Sequence, residues 1–136
     1  MAETLEVLIQ LAERKVEQKQ RELAATHERL QWLAAEMLRL QREVEVAFKT
    51  AVGEDDVQAL MAASAFQERM RRAIEELKLE EGVKRQLEAE QRIELQMLFA
   101  GQKKYELLFE KQKMARRKER LKKAQIQLDE VAGRKR

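Results

Sequence analysis

The chain contains no cysteine and no proline, only four of its 136 residues are glycine, and aromatic side chains make up 4% of it. Each absence excludes something. Without cysteine there is no disulfide framework and no thiol-ligated metal or redox centre. Without proline, nothing breaks a long helix by removing a backbone donor and clashing with the preceding turn. With so few aromatics, a core enclosed on all sides lacks its usual large side chains. Long hydrophobic runs are missing too, and no stretch approaches the roughly 18 apolar residues of a membrane span. The opening "MAETLEVLIQLAERK" places acids where a secretory signal needs basic residues, and its apolar run is short and mixed. A soluble, cytoplasmic protein is expected.

What is present instead is charge. Asp, Glu, Lys and Arg form 39% of the chain and interrupt Ala, Leu and Met every few positions, the composition of long helices. The formal charge of +3 conceals an asymmetry: residues 103–136 hold 13 Lys and Arg against 5 Asp and Glu, whereas residues 1–102 hold 15 against 20. The basic end is a separate electrostatic feature.

A seven-residue register runs from the N-terminus without a break. Ile9, Val16, Leu23, Leu30, Met37, Val44 and Ala51 form one series, and Leu5, Ala12, Lys19, Thr26, Leu33, Leu40 and Ala47 form the other. Lys19 and Thr26 are expected to loosen the middle of this seam. "VGEDD" then interrupts the pattern: Gly53 suits the position just past a helix end, and Asp55 or Asp56 can cap the next helix. So short a link folds two long helices antiparallel. The expected fold is all-α, a long antiparallel two-helix coiled coil. Helix 1 covers 1–52, the turn 53–56, and helix 2 57–132 with a basic overhang from about 106, followed by a tail at 133–136. Helix 2 has the poorer register, because Ala63, Met70 and Leu77 run into Lys84 and Gln91, and Phe66 and Ala73 run into Glu80 and later Glu94, Gly101 and Leu108.

Nothing in the sequence supports catalysis or cofactor binding. There is no glycine-rich phosphate loop, no nucleophile elbow and no metal-ligand cluster. His27, the only histidine, falls on the flank of helix 1 and reads as solvated. The run "KQKMARRKERLKK" at 111–123 has eight Lys and Arg and one acid. It reads either as a solvated helix end or as attachment to an acidic surface, whether nucleic acid, anionic lipid or the inside of a protein ring. It offers no aromatic for base stacking and no regular zipper follows it, so no nucleic-acid partner is expected. Trp32 lies outside the seam and reads as a partly covered ring or a partner contact.

In "AFQERMRRAIEEL", residues 65–77, Phe66, Met70, Ala73 and Leu77 fill the seam stripe, while Ile74 and Leu60 widen it beyond what one partner helix covers. Two readings stand: a well-packed seam near the turn, or a docking face for a partner.

The sequence resembles the FliJ family, small coiled-coil proteins of the flagellar type III export apparatus. Three segments carry the likeness. "LEVLIQLAERKVEQKQRELA" places Leu5, Leu8, Leu11, Ala12, Glu13, Val16, Arg21 and Leu23 on that family's opening pattern; "FQERMRRAIEEL" resembles its patch after the turn; "LDEVAGR", residues 128–134, resembles its C-terminal signature. The chain departs from the family at Leu40 and Val44, where tyrosines are common, and in "AQIQ" at 124–127.

The resemblance implies a non-enzymatic stalk or adaptor, cytoplasmic and peripheral to the inner membrane through the export apparatus. The implied partners are a hexameric FliI-like export ATPase, the cytoplasmic domain of a FlhA-like export gate, and late-substrate export chaperones. It implies gate contacts at Phe66, Met70, Ala73 and Leu77. Together with the basic overhang, it points the ATPase ring to Leu5, Leu8, Ile9, Arg116, Arg117, Lys118, Arg120, Asp129 and Glu130. An injectisome stalk, a stand-alone coiled-coil adaptor and a basic-helix nucleic-acid binder are the competing readings.

Overall fold

The computed structural model describes residues 2–134. Apart from Asp55 and Asp56, all of them are helical: α1 spans Ala2–Glu54 and α2 spans Val57–Arg134. The architecture is an all-α helical hairpin with no strand among the described residues. No helix among these residues is long and apolar enough to cross a membrane.

The turn sits slightly later than the glycine indicates. α1 continues through Gly53 to Glu54, and the left-handed residue is Asp55, with φ 50°. Aspartate is one of the few residues besides glycine that tolerates this conformation, so Gly53 is left with an ordinary helical role. The Asp55 N–H donates to the Val52 carbonyl at 3.3 Å and closes the last turn of α1. Asp56 then caps α2: its Oδ1 accepts the Gln58 N–H at 3.0 Å, and its carbonyl accepts the Leu60 N–H at 3.1 Å. At the far end Gly133 and Arg134 belong to α2 rather than to a tail, and residues 135–136 lie outside the described residues.

The chain divides into two compact units. The turn unit is Lys19–Ile93; the terminal unit joins the described residues up to Gln18 with those from Glu94 onward. In the turn unit every expected seam position of α1 is turned inward: Thr26, Leu33, Leu40 and Ala51 are buried, and Lys19, Leu23, Leu30, Met37, Val44 and Ala47 are half-buried. Leu33 is the large side chain that is fully buried, at 0% exposure. The polar members are accommodated locally. The Thr26 hydroxyl donates to the Glu22 carbonyl at 3.1 Å, and the Lys19 ammonium lies 2.8 Å from the Glu22 carboxylate while its stem stays in the seam.

α2 keeps its expected register through the turn unit, from Ala63 to Gln91. Glu80 and Lys84 sit at seam positions and are only half-buried, because their charged ends must reach water or a partner. Glu80 has such a partner: the Arg29 guanidinium on α1 grips it with contacts of 2.9 and 3.2 Å. Gln91 is buried, and its Oε1 takes no hydrogen bond among the described residues.

In the terminal unit Ala12 and Val16 are buried on α1, and Leu5, Leu8 and Ile9 are half-buried. Here the inward stripe of α2 departs from the expected one. Leu95 and Phe109 are half-buried, whereas Glu94 and Leu108 are exposed; Leu98, Tyr105 and Gln112 hold the companion series. The cause is geometric. An α-helix has about 3.6 residues per turn and drifts roughly 20° per heptad against a strict seven-residue repeat. The spacing of three residues therefore gives way to one of four, and the drift also replaces a charged side chain with an apolar one.

Gly82 and Gly101 lie inside α2, and a Cβ built at either meets no atom within 4 Å. Glycine in a helix interior costs roughly 1 kcal/mol relative to alanine. Gly82→Ala and Gly101→Ala are therefore each expected to raise the melting temperature by about 4 °C, measured by circular dichroism. A fall in either would reveal a close neighbour at that position.

Candidate partner-binding faces

The gate-contact candidates lie in the turn unit. Phe66, Met70, Ala73 and Leu77 are all half-buried on the seam side of α2, and Ile74 beside them is half-buried as well. None of them is a freely exposed apolar side chain; each presents an edge to solvent from within the stripe. Leu60, which was expected to widen the stripe, is 38% exposed.

An ionic face adjoins these residues. Arg71 bonds Glu68 at 2.6 Å and Glu75 at 2.5 Å, and Arg72 reaches Glu68 at 3.4 Å. The hydrogen bonds from Arg71 are the main cause that holds the Glu68 carboxyl down at about 2. A depressed carboxyl contributes stability that is complete above its ordinary range and is lost as pH falls toward that value. These side chains are exposed, so the contribution is small and screened by salt. Arg69 lies over the Phe66 ring at 6.0 Å, at the outer limit of a cation–π contact.

On α1 in the same unit, Trp32 is half exposed and its ring carries the Arg29 guanidinium at 4.3 Å. Arg29 therefore both stacks on Trp32 and holds Glu80 across the hairpin. His27 is exposed but not merely solvated. Its Nδ1 lies 3.5 Å from the Glu88 carboxylate of α2, and its Nε2 lies 3.3 Å from the Gln31 amide. Sequence inspection finds the charges of both groups but not the cross-helix pairing, which depends on the relative register of the two helices.

The ATPase-ring candidates fall in the terminal unit and divide into two kinds. Leu5, Leu8 and Ile9 are half-buried on α1. Arg116, Arg117, Lys118, Arg120, Asp129 and Glu130 are exposed on α2, as is every described residue from 113 onward. An open groove joins Glu6 of α1 to Phe109, Arg116, Arg117 and Arg120 of α2, so the N-terminal turns and the basic run do share a surface. Lys113 lies over the Phe109 ring at 4.6 Å. Asp129 accepts a hydrogen bond from Gln125 at 3.1 Å.

No protein-family model, curated protein or solved structure matches the chain.

Proposed function

We propose that the protein is a non-enzymatic stalk or adaptor of a flagellar type III export apparatus, linking a hexameric FliI-like ATPase to a FlhA-like export gate. It would work in the cytoplasm at the inner-membrane export apparatus and assist late-substrate chaperones. One observation carries the reading: α2 continues as helix beyond Gln112, every described residue of that continuation is exposed, and it bears seven of the eight cations of the basic run at 111–123. A helical hairpin that ends in a cationic single helix is suited to entering an acidic protein ring. The three segments that resemble the FliJ family add to it, and their residues occupy the hairpin in the same order.

The test is a charge reversal. Arg116→Glu, Arg117→Glu and Arg120→Glu together remove exposed cations without touching the seam, so helicity and melting should persist. Co-sedimentation with the FliI-like ATPase and stimulation of its hydrolysis should both be lost. Stimulation that survives the triple change overturns the assignment of this end, and co-purification with an injectisome ATPase instead overturns the flagellar one.

A further inference from the structure

The inward stripe of α1 in the turn unit does not by itself fix where α2 lies along it. Leu23, Leu30, Met37 and Val44 recur every seven residues, and so do Thr26, Leu33, Leu40 and Ala47. α2 answers with Ala63, Phe66, Met70, Ala73 and Leu77 at the same spacing. Apolar burial is non-directional, so moving one helix along the other by a heptad sets apolar residues against apolar residues again. The turn opposes such a slip only at its own end, where the connection would move by half a heptad and Asp56 would lose its capping bond to Gln58.

One contact between the helices does discriminate. The Arg29 Nη2 donates to both Glu80 carboxylate oxygens at 2.9 Å, and its Nε donates to one of them at 3.2 Å. The guanidinium is steadied by the Trp32 ring, on which it stacks at 4.3 Å. When antiparallel helices slip by seven residues, each residue meets the one seven away from its former partner. Arg29 would then face Ala73 or Leu87, neither of which can accept a hydrogen bond through its side chain. Glu80 would face Glu22 or Glu36, and both are half-buried as Glu80 is. Slipping in either direction therefore forfeits a forked ion pair and sets two carboxylates against each other.

We infer that Arg29 and Glu80, with Glu22 and Glu36 placed one heptad to either side of Arg29, form a register lock. The pair holds the native alignment, and the two outlying glutamates bar the alignments next to it. The Arg29 and Glu80 side chains are 42% and 34% exposed, so the lock acts through the choice of alignment and adds little to stability. Register decides which residues of α1 share a surface with which residues of α2, and so what the hairpin presents to any partner. The lock is a property of the hairpin and does not depend on the proposed apparatus.

The absence of cysteine makes the test direct, because two introduced thiols can carry spin labels at chosen places. Ala35→Cys on α1 and Ala89→Cys on α2 replace exposed residues of the turn unit. Double electron–electron resonance on the labelled full chain, diluted with unlabelled chain, reads the distance within one molecule. A slip of one heptad moves one helix about 10 Å along the other and shifts that distance by up to the same amount. The parent should show one narrow distance. Arg29→Leu with Glu80→Leu should melt no lower than the parent, yet add shifted distances from roughly a tenth of the chains or more. Arg29→Glu with Glu80→Arg keeps an ion pair in the native alignment but lets the cation at position 80 meet Glu22 or Glu36 favourably. It should add the shifted distances as well. A single narrow distance in the leucine variant overturns the inference and leaves register to the turn. A single narrow distance in the exchanged variant overturns it too, because the outlying glutamates would then bar nothing. A broad distribution in the parent shows that no lock exists.

Discussion

Leu33→Ala is expected to destabilise the protein by about 2–5 kcal/mol, the largest effect of any single truncation to alanine in the seam. Leu33 is the large side chain wholly withdrawn from solvent; its buried companions in the turn unit are Leu40, Gln91 and the smaller Ala51, Ala63 and Thr26. A hairpin has one seam and no second layer that can collapse into the space left behind. A loss of this size is a large share of the roughly 5–15 kcal/mol that holds an ordinary domain folded. Leu38→Ala makes the control, because Leu38 on the same helix is 47% exposed. Chemical denaturation of both variants checks the expectation. Equal midpoints for the two would show that the seam does not run through Leu33.

Ala73→Glu is expected to leave melting close to that of the parent chain while weakening binding to the cytoplasmic domain of the proposed FlhA-like gate. Ala73 is half-buried, so a longer side chain there can turn its carboxylate outward. The structure already contains such a case: Glu80, the next member of the same series, is half-buried and reaches Arg29. A charge placed within an apolar contact opposes docking, and a loss of tenfold or more in affinity, about 1.4 kcal/mol, is expected. Phe66→Ala differs, because its ring is shared between the seam and the solvent edge. It should lower both the melting temperature and gate affinity, the latter on the order of 2 kcal/mol if the ring is an anchor. Thermal melts and pull-downs on the two variants separate the roles. Melting of Ala73→Glu that falls as far as that of Leu33→Ala, or gate binding that persists, assigns the stretch to the seam alone.

The α1 register could be read from sequence because a residue of the right character, or one whose polar end finds a local partner, stands at each inward position. Thr26 and Lys19 look like flaws in that series only until their bonds to Glu22 are seen, and both bonds are made within a turn of the same helix. On α2 the signal weakens because neighbouring positions share the inward role. Glu80 with Glu81, and Leu87 with Glu88, are half-buried together, which is how a helix looks midway through its drift from one spacing to the next. The shift to Leu95 and Phe109 follows from that drift. The pairing of Arg29 with Glu80 was out of reach, since charge alone does not say which acid stands across the seam.

The helical continuation from Lys113 to the end of the described chain has a thermodynamic character of its own. With no side chain covered there, its helix is held by its own backbone bonds and by pairs such as Gln125 with Asp129. Short helices without tertiary support open readily, so its amides should exchange with solvent far faster than those beside Leu33 and Leu40. A partner that binds only the closed helix must supply the ordering free energy of the segment, which lowers its affinity for a given contact area and leaves the complex readily reversible. Exchange protection appearing across these residues on adding a partner would then report occupancy directly, residue by residue, without any change elsewhere in the hairpin.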